Sequence, residues 1–291
     1  MARYLVGWVV LIMFVGSGSA GSYKVEKVST GYKFTEGPVW TSRGTLLFSD
    51  IPENKIWEIG KKTAVFRTPS GNSNGLTFDG EGRLIACEHS NRRVTRTEKD
   101  GSITVLADRF EGKRLNSPND AVVKSDGSIY FTDPPYGITS EQQELDFQGV
   151  YRIKPGGELE LLVKDFAKPN GLCFSPDEKL LYIADSSNLR HVRVFKVAQD
   201  GTLRGGEVFA RISSEKGAPD GMKVDVEGRL YAAGPGGVWI FDTAGKHVDT
   251  IETPESPANL AWGGKDGKTL YMTAVTSVYK VHLSIGGKTG K

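Results

Sequence analysis

The sequence predicts an all-β fold, a six-bladed β-propeller with four-stranded antiparallel blades. Three observations predict it. One short unit recurs six times, each copy has the two-residue periodicity of β-strands, and no convincing amphipathic helix is present. A β-sandwich is the competing all-β fold, but it gives no reason to repeat one polar motif six times. The copies begin, in order, with TEGPVW, SNGLTF, SPNDAVV, KPNGLCF, APDGMKV and PANLAW.

Each copy has the pattern of a β-hairpin followed by further strands. Alternating apolar residues flank turns such as Asp126-Gly127 and Glu227-Gly228, which is the signature of a hairpin. Strand-like runs follow, for example KIWEIG with TAVFRT in the first copy. Four-stranded repeats of this length are typical of propeller blades. The run YKVEKVST, ahead of the first copy, is expected to supply the outer strand of the last blade and so close the ring.

The first twenty residues differ from the rest of the chain. Arg3 precedes a short apolar run, and Gly18 and Ala20 are the small residues of a signal-peptide cleavage site. The run is short for a membrane-spanning helix, which needs roughly 20 apolar residues, although an uncleaved N-terminal anchor is the alternative. We expect residues 1–20 to be removed on export to the periplasm or the medium. Residues 21–291 then form a single propeller domain that is not held at a membrane.

Composition argues against one class of function. The formal net charge is +2, from 37 Lys and Arg against 35 Asp and Glu, whereas nucleic-acid-binding proteins carry a concentrated basic face. A propeller is complete as one chain, so we expect a monomer. Cys87 and Cys173 fall in different blades, beyond the ~7 Å Cα separation that a disulfide allows. We therefore expect two free, buried thiols.

One polar position of each repeat comes just before the strand that lines the central channel of a propeller. Asn and Asp at such places often only cap a turn, and that explanation would suffice for any one of them. Six oxygen-bearing side chains converging at one mouth favour a cation, because facing carboxylates otherwise repel. An all-oxygen set suits Ca²⁺, or Mg²⁺ and Mn²⁺, better than a structural zinc. The six residues are Glu36, Asn74, Asn119, Asn170, Asp220 and Asn259.

Four longer segments carry a more specific pattern: SNGLTFDGEGRLIACEHSNRRVTR, SPNDAVVKSDGSIYFTDPPYG, PNGLCFSPDEKLLYIAD and PDGMKVDVEGRLYAAGPGGVW. In combination they resemble the senescence marker protein/gluconolactonase/luciferin-regenerating enzyme family, and bacterial gluconolactonases in particular. The resemblance covers nearly the whole chain after residue 20. It implies a six-bladed propeller with one divalent cation in the channel and the hydrolysis of sugar lactones. Ca²⁺ is the first expectation, with Mg²⁺, Mn²⁺ or Zn²⁺ as alternatives.

The resemblance also implies roles for individual residues. Glu36, Asn170 and Asp220 correspond to metal ligands of the family. Asn119 corresponds to a residue that contacts metal or substrate, and Asp220 also corresponds to the catalytic acid/base. Animal members carry a substrate-contacting arginine two residues before the Asn119 position, and Ser117 stands there in this chain.

Further residues are candidates for contact with the substrate, beginning with Asn74 and Asn119 at the mouth. Ends of the second strands return to the same mouth at Asp50, His89, Asp133 and Asp185. From there they could orient the ligand side chains from behind, without binding the metal themselves. A structural role at a strand edge is the alternative for His89. The longest irregular connection, residues 134–149, leaves from the same mouth, and we expect Tyr136 in it to cover the substrate. An ordinary surface loop is the alternative.

The leading functional hypothesis is a divalent-metal-dependent hydrolase of small-molecule sugar lactones, with a metal-polarised carbonyl and an activated water. An organophosphate or aryl-ester hydrolase on the same scaffold is one alternative. A non-catalytic, ligand-binding propeller with a structural cation is another. A serine hydrolase is rejected. Residues 71–75, GNSNG, match the G-x-S-x-G pattern around Ser73, but a strand follows where that motif needs a helix.

Overall fold

A computed structural model describes residues 23–214 and 216–287 of the chain. The predicted signal peptide, residues 1–20, lies outside these ranges and stays a prediction. Six four-stranded antiparallel sheets follow one another along the described chain. Helical structure in these ranges is confined to one 3-10 turn, Ser140–Gln142. The prediction of an all-β, six-bladed propeller is therefore confirmed.

The first half of the chain forms three blades, each with its strands paired in chain order. A short two-stranded hairpin separates the second blade from the third. In chain order the strands are β1 (Glu26–Thr30), β2 (Thr35–Trp40), β3 (Leu46–Asp50), β4 (Lys55–Ile59), β5 (Thr63–Arg67), β6 (Ser73–Phe78), β7 (Leu84–Glu88), β8 (Arg93–Thr97), β9 (Ile103–Ala107), β10 (Arg109–Phe110), β11 (Lys113–Arg114), β12 (Ala121–Val123), β13 (Ile129–Asp133), β14 (Gln148–Ile153) and β15 (Leu159–Phe166).

The second half repeats this arrangement in three more blades. As in the first half, every strand pairs antiparallel with its neighbour, and the hairpin turns lie between consecutive strands. The strands are β16 (Pro169–Phe174), β17 (Leu180–Asp185), β18 (His191–Val197), β19 (Leu203–Arg211), β20 (Met222–Val224), β21 (Leu230–Gly234), β22 (Gly237–Phe241), β23 (His247–Glu252), β24 (Asn259–Gly263), β25 (Thr269–Ala274) and β26 (Ser277–His282).

The first strand of each blade lines the central channel. We number the blades 1 to 6 by these inner strands, which are β2, β6, β12, β16, β20 and β24. Each inner strand contacts the inner strands of both neighbouring blades, and β2 also contacts β24. The six strands therefore form a closed ring, and residues just before or early in each strand meet at one mouth of the channel.

The ring closes through pairing between the two ends of the described chain. Strand β1 is the outer strand of blade 6 and runs antiparallel to β26, with Glu26 opposite Lys280 and Thr30 opposite Ser277. The prediction that YKVEKVST supplies this strand is confirmed. Because β1 covers the outer edge of β26, that strand is paired on both sides and its edge is not exposed.

The apolar core is divided among the interfaces between blades. The described residues form six buried clusters, one for each pair of neighbouring blades. Blades 5 and 6, for example, share Val238, Leu260 and Met272, all fully buried. Burying one such side chain contributes roughly 1.5–3 kcal/mol. Each blade is thus stabilised by both of its neighbours. The positions of the channel residues therefore depend on packing around the whole ring.

Cys87 lies in β7 and Cys173 in β16, and both are free and buried. The prediction of two free thiols is confirmed. Burial raises the pKa of the Cys173 thiol to about 12, so this group is protonated at neutral pH. No helix in the described ranges has the length and apolar character needed to cross a membrane.

Candidate active site at the channel mouth

A cavity of about 360 Å³ opens at the mouth of the channel, where the inner strands begin. Seven of the residues that the sequence nominates for metal or substrate line it, which brings together side chains from blades 1 to 5. Their roles remain predictions. The full lining comprises Phe34, Glu36, Ile51, Asn74, His89, Asn119, Tyr136, Asn170, Ser186, Ala218, Pro219 and Asp220.

A second cavity, of about 370 Å³, lies among surface turns of blades 3 and 4. Its central side chain is Arg152, whose guanidinium donates to the Glu160 carboxylate and to the Asp200 carbonyl oxygen, both at 2.5 Å. These ionic and backbone contacts already use the charge of the arginine. The channel mouth, with its unpaired acidic groups, is the stronger candidate for chemistry.

Bulges in the inner strands turn the polar side chains toward the channel. The pairing register shifts next to Glu36 in blade 1, next to Asn74 in blade 2 and next to Asn170 in blade 4. A bulge adds one residue to a strand and re-aims the side chains beside it. Gly37, with φ of +51°, makes the bulge of blade 1. The Gly-Pro pair after Glu36 is therefore the device that points this acid into the channel.

Close approach of neighbouring inner strands explains the glycines that follow the channel residues. A Cβ on Gly37 would lie 2.0 Å from the carbonyl oxygen of Asn74 in the next blade. A Cβ on Gly171 would lie 2.4 Å from the carbonyl oxygen of Asp220, again in the next blade. Only glycine fits such spacing. The narrow ring in turn places Glu36, Asn170 and Asp220 around one small space.

Two oxygen atoms that line the cavity are buried without a hydrogen-bond donor. They are Oδ1 of Asp220 and Oδ1 of Asn74. The Glu36 side chain is 3% exposed, and its Oε2 accepts the N–H of Gly37 at 2.7 Å. Leaving a buried acceptor unpaired costs free energy. Carboxylate and amide oxygens without donors fit the requirements of a hard divalent cation.

The acidic charge of the cavity has no counter-charge from the side chains that line it. Among the described residues around the cavity there is neither Lys nor Arg. Burial, and then the Asp220 carboxylate, raises the pKa of Glu36 well above its usual range. Burial, and then the Asp120 carboxylate, raises the pKa of Asp220 to about 7. A divalent cation between Glu36 and Asp220 would relieve this repulsion.

Amides complete the oxygen set. No three His, Cys, Asp or Glu side chains in the described ranges gather as a metal cluster, so two carboxylates would need amide oxygens beside them. Asn170 lies next to Asp220. Its side chain hydrogen-bonds to the Asp220 carboxyl group, and this bond lowers the pKa of that group. Asn170 Nδ2 also donates to Ser186 Oγ at 2.9 Å, and Ser186 Oγ donates to the Pro219 carbonyl oxygen at 2.5 Å. Ser186, which the sequence prediction does not include, thus ties Asn170 to the backbone just before Asp220.

Asp120 is a buried carboxylate that the sequence prediction also omits. Its side chain is 3% exposed, Oδ1 accepts the N–H of Ala121 at 2.9 Å, and Oδ2 accepts Nδ2 of Asn259 at 3.3 Å. Burial raises its pKa, and the charge of Lys223 acts against that rise. Asp120 occupies the position that is glycine in four other repeats, and this departure is the signal in the sequence that points to it.

Asn259 differs from the other five residues of the predicted set in its position. It does not line the cavity, and its Oδ1 accepts the N–H of Leu260 at 2.8 Å. Its amide nitrogen instead faces Asp120. Because Asn259 also hydrogen-bonds to Glu36, it meets the channel acids without lining the cavity, and its part in binding a cation stays a prediction. Strand β24 pairs with β25 from Asn259 onward without a register shift, whereas the inner strands of blades 1, 2 and 4 have a bulge at this position.

The acids at the ends of second strands hold backbone turns. Asp133 accepts the N–H groups of Asn116 and Ser117, both at 2.7 Å. Asp50 and Asp185 accept the N–H groups at the corresponding positions of blades 1 and 4. None of the three lines the cavity. They fix the turn that leads to each channel residue and so act from behind the candidate ligands, and the prediction that they orient ligands in this indirect way stays a prediction.

His89 lines the cavity and contacts Asn74. Its Nε2 lies 3.3 Å from Nδ2 of Asn74. Burial lowers the pKa of His89 to about 4, so the ring is neutral at pH 7. A neutral ring accepts a hydrogen bond from the amide, which turns Oδ1 of Asn74 toward the cavity as the unpaired atom noted above. His89 is thus placed both to touch a ligand and to orient Asn74.

Three further residues lie near the cavity in sequence or in space but do not line it: Ser73, Arg114 and Ser117. Ser73 begins β6, and its Oγ lies 2.9 Å from Oγ of Ser49. A strand follows Ser73, as the sequence predicts, whereas a nucleophile elbow needs a helix there. Ser73 is therefore not a nucleophile of that type. Arg114 donates to the carbonyl oxygen of Asn91 at 3.0 Å and does not line the cavity. Ser117 is fully buried beside the cavity.

Comparison with known proteins agrees with this architecture. The sequence signature of the SMP-30/Gluconolactonase/LRE-like region matches residues 34–276. A gluconolactonase of Zymomonas mobilis is 32% identical over 91% of this chain and 83% of its own length. Regucalcin of Xenopus laevis is 28% identical over 87% of each chain.

Solved structures show the same likeness. The gluconolactonase of Xanthomonas campestris superposes with a TM-score of 0.84 at 33% identity, covering 91% of this chain and 90% of that one. A luciferin-regenerating enzyme superposes with a TM-score of 0.80 at 21% identity, covering 92% and 98%, which shows a common fold. Since the signature spans most of the sequence, this chain belongs to the SMP-30/gluconolactonase/LRE-like family.

Proposed function

We propose that this protein hydrolyses sugar lactones and needs a divalent cation at the channel mouth to do so. The observation that carries the proposal is a pair of acids, Glu36 and Asp220, in a cavity whose lining holds no Lys or Arg. Glu36 is buried, and Oδ1 of Asp220 is buried without a hydrogen-bond partner. The gluconolactonases of Zymomonas and Xanthomonas, about a third identical over nearly the whole chain, support the choice of substrate.

The cation would be held by Glu36, Asn170 and Asp220, with Asn119 as a further contact. Oδ1 of Asp220 is buried without a hydrogen-bond partner, which leaves it available to a cation. An all-oxygen set favours Ca²⁺, with Mg²⁺, Mn²⁺ or Zn²⁺ as alternatives. When bound, the cation would supply Lewis acidity for the lactone carbonyl.

Asp220 would move the proton. Hydrolysis adds one water: its oxygen bonds to the carbonyl carbon, the bond from that carbon to the ring oxygen breaks, and the ring oxygen leaves as a hydroxyl. Asp220 would take a proton from the water and return it to this leaving oxygen. A carboxylate has two oxygens, so one would face the cation while the other handles the proton.

The remaining lining would hold the sugar. Asn74, Asn119 and His89 would meet its hydroxyl groups, and Tyr136 would cover it. A cavity of about 360 Å³ falls in the usual range for small-molecule sites, about 300–1,000 Å³. The neutral ring of His89 suits a neutral polyol, because it can accept a hydrogen bond without adding charge. A monomer would suffice, since every residue invoked comes from one chain.

Activity after removal and return of metal tests the proposal. Chelator-treated protein is assayed on D-glucono-1,5-lactone with Ca²⁺, Mg²⁺, Mn²⁺ or Zn²⁺ added singly, for wild type, Asp220→Asn and Glu36→Gln. Glu252→Gln is the matched control, because Glu252 is exposed on an outer strand. We expect one or more cations to restore activity. Asp220→Asn should lower kcat about 10²–10⁴-fold.

Two outcomes would contradict the proposal. Full activity in metal-free protein would show that no cation is needed. Wild-type activity in Asp220→Asn would show that Asp220 is not the acid/base. An aryl-ester hydrolase is a second candidate, favoured by the apolar Phe34 and Ile51 in the cavity lining. Phenyl acetate in the same assay separates the two. Failure on both substrates with every cation would favour a ligand-binding propeller.

We also propose export, on the strength of residues 1–20. The mature protein recovered from the periplasmic fraction or the medium should begin at residue 21. An N-terminus at residue 1 in that material would contradict cleavage of a signal peptide and favour an anchor.

A further inference from the structure

The connection between β13 and β14 passes beside the cavity, and we call residues 134–147 the strap. Its first contact is at Gly137, whose N–H donates to Ser117 Oγ at 3.0 Å. A Cβ on Gly137 would lie 2.4 Å from that oxygen and 2.7 Å from Cβ of His89. The strap backbone therefore lies directly against the cavity wall, with no room for a side chain between them.

A buried arginine holds the middle of the strap. Arg92 is 5% exposed. Its Nη1 donates to the carbonyl oxygen of Gln142 at 2.8 Å, and its Nε donates to the carbonyl oxygen of Leu115 at 2.7 Å. One guanidinium thus joins the strap to the segment that leads to Asn119. Because a buried charge loses free energy when its partners leave, this contact resists opening of the strap.

The end of the strap is fixed by apolar and backbone contacts. Leu145 is 3% exposed and belongs to the buried cluster between blades 2 and 3. Asn116 Nδ2 donates to the carbonyl oxygen of Phe147 at 2.9 Å. Glu144 Oε2 accepts the N–H of Arg114 at 2.8 Å. Contacts at its start, middle and end make the strap a fixed wall, whereas a mobile lid would lack them.

The fixed strap determines where Tyr136 lies. Tyr136 is the residue before the docked Gly137, and its side chain lines the cavity together with Asn170 and Ser186. It is 42% exposed, so its ring stands between the cavity and solvent. A substituent that extends from a ring in the cavity toward solvent on this side would meet the Tyr136 side chain.

We propose that Tyr136 is a specificity-determining residue, which the strap holds so that the cavity accepts single-ring lactones and rejects lactones bearing a second sugar. Arg92 and Gly137 are positioning residues in this arrangement. The inference rests on the proposed lactonase function, because it names the substrate class of that same site.

Paired lactones test the inference. kcat/KM is measured on D-glucono-1,5-lactone and on cellobiono-1,5-lactone, which carries an additional glucose, for wild type, Tyr136→Ala, Tyr136→Phe and Gly137→Ala. Glu141→Ala is the matched control, since its exposed side chain bonds within the strap, to Ser140. Wild type and the control should prefer the single-ring lactone. Tyr136→Ala should shift the ratio toward the larger lactone at least about tenfold, and Tyr136→Phe should keep the wild-type ratio because it keeps the ring.

A second readout does not depend on activity. The N–H of Gly137 should exchange slowly with deuterium in wild type and faster in Arg92→Lys. The lysine ammonium is a single donor centre on a flexible chain, and it does not reproduce the rigid fork with which Nε and Nη1 of Arg92 reach two carbonyl groups. Rapid exchange of Gly137 in wild type would overturn the fixed wall. An unchanged lactone ratio in Tyr136→Ala would overturn the specificity role while leaving the lactonase proposal standing. Wild type inactive on both lactones would instead overturn the lactonase proposal, and the inference with it.

Discussion

Asp120 shows how one residue can alter a repeated site. Four other repeats have glycine at its position, and here a carboxylate adds a third negative charge beside Glu36 and Asp220. Burial is the largest cause of the raised pKa of Asp220, and the charge of Asp120 is the second. A negative charge near a cation site strengthens cation binding even without direct contact.

We therefore expect Asp120→Asn to weaken divalent-cation binding about tenfold, because a nearby charge interaction of ~1.4 kcal/mol corresponds to that factor. Asparagine keeps an oxygen for the N–H of Ala121, so the fold should survive. Titration calorimetry with Ca²⁺ measures the change, and Asp126→Asn, on a distant turn of the same blade, is the control. Equal affinity in Asp120→Asn and wild type would contradict the role of the charge.

The residues of the site divide by how local their signal is. Glu36, Asn74, Asn119, Asn170 and Asp220 stand at one repeated position, so the repeat alone predicts that they meet. Asp120 and Ser186 lie just beside repeated positions. Only the folded ring shows that Ser186 lines the cavity and that the charge of Asp120 acts on Asp220. Asn259 shares the repeated position but follows a different backbone path, which residue type does not reveal.

At the scale of the element, inner-strand geometry sets the site. Gly37 is required twice, for its φ of +51° and for its contact with the Asn74 carbonyl. We expect Gly37→Ala to lower the free energy of unfolding by about 2–4 kcal/mol, from overpacking and backbone strain. Gly80→Ala is the control, because a Cβ there meets nothing within 4 Å. Urea unfolding measures both, and equal effects would contradict the close-packed ring.

The turn between β25 and β26 depends on one acid, Glu255. Its Oε1 accepts the hydroxyls of Ser277 at 2.5 Å and Tyr279 at 2.8 Å, and its Oε2 accepts the N–H of Thr276 at 2.8 Å. Burial alone would raise the pKa of Glu255, but these hydrogen bonds outweigh it and lower the pKa to about 2. The ionised form is therefore favoured in the folded protein.

Stability should follow this ionisation. The folded pKa of Glu255 lies below its ordinary value of 4.5, so its contribution is full above pH 4.5 and is lost as the pH falls toward 2. We expect Glu255→Gln to lower the free energy of unfolding by about 1–2 kcal/mol at pH 7. The difference from wild type should shrink at pH 3, and Glu252→Gln is the control. A difference that grows at pH 3 would contradict the assignment.

Strand pairing and hairpins were within reach of the sequence, because alternation and turn residues report them directly. The strap is different. Its length between β13 and β14 is evident, but the contacts of Gly137 and Arg92 join residues that are far apart in the chain, and no local pattern encodes them. The predicted connection of residues 134–149 also runs two residues into β14, since Gln148 and Gly149 already pair.

At the scale of the whole molecule, the fold depends on closure of the ring of blades. Strand β1 completes blade 6, and its residue Val28 packs against the cluster between blades 1 and 6. The fold class follows from the sequence because six repeats of one unit have few other ways to bury their faces. The order of blades and the antiparallel pairing then need no further information.

Deleting the closing strand tests this. A chain starting at residue 31 should unfold at lower urea than one starting at residue 23, with a loss on the order of 3–6 kcal/mol from buried apolar surface and an unpaired β26. The chain starting at residue 23 should match the full-length protein. Matching unfolding curves for all three would show that the ring does not depend on this pairing.

The central claim is that the acids and amides at the channel mouth bind a divalent cation. Crystals grown with Mn²⁺, with data collected at the manganese absorption edge, locate that ion by its anomalous signal. We predict a peak within about 2.0–2.6 Å of oxygens of Glu36, Asn170 and Asp220, and its loss in Glu36→Gln. A channel mouth with no peak at saturating Mn²⁺, or a peak confined to surface acids, would contradict the account.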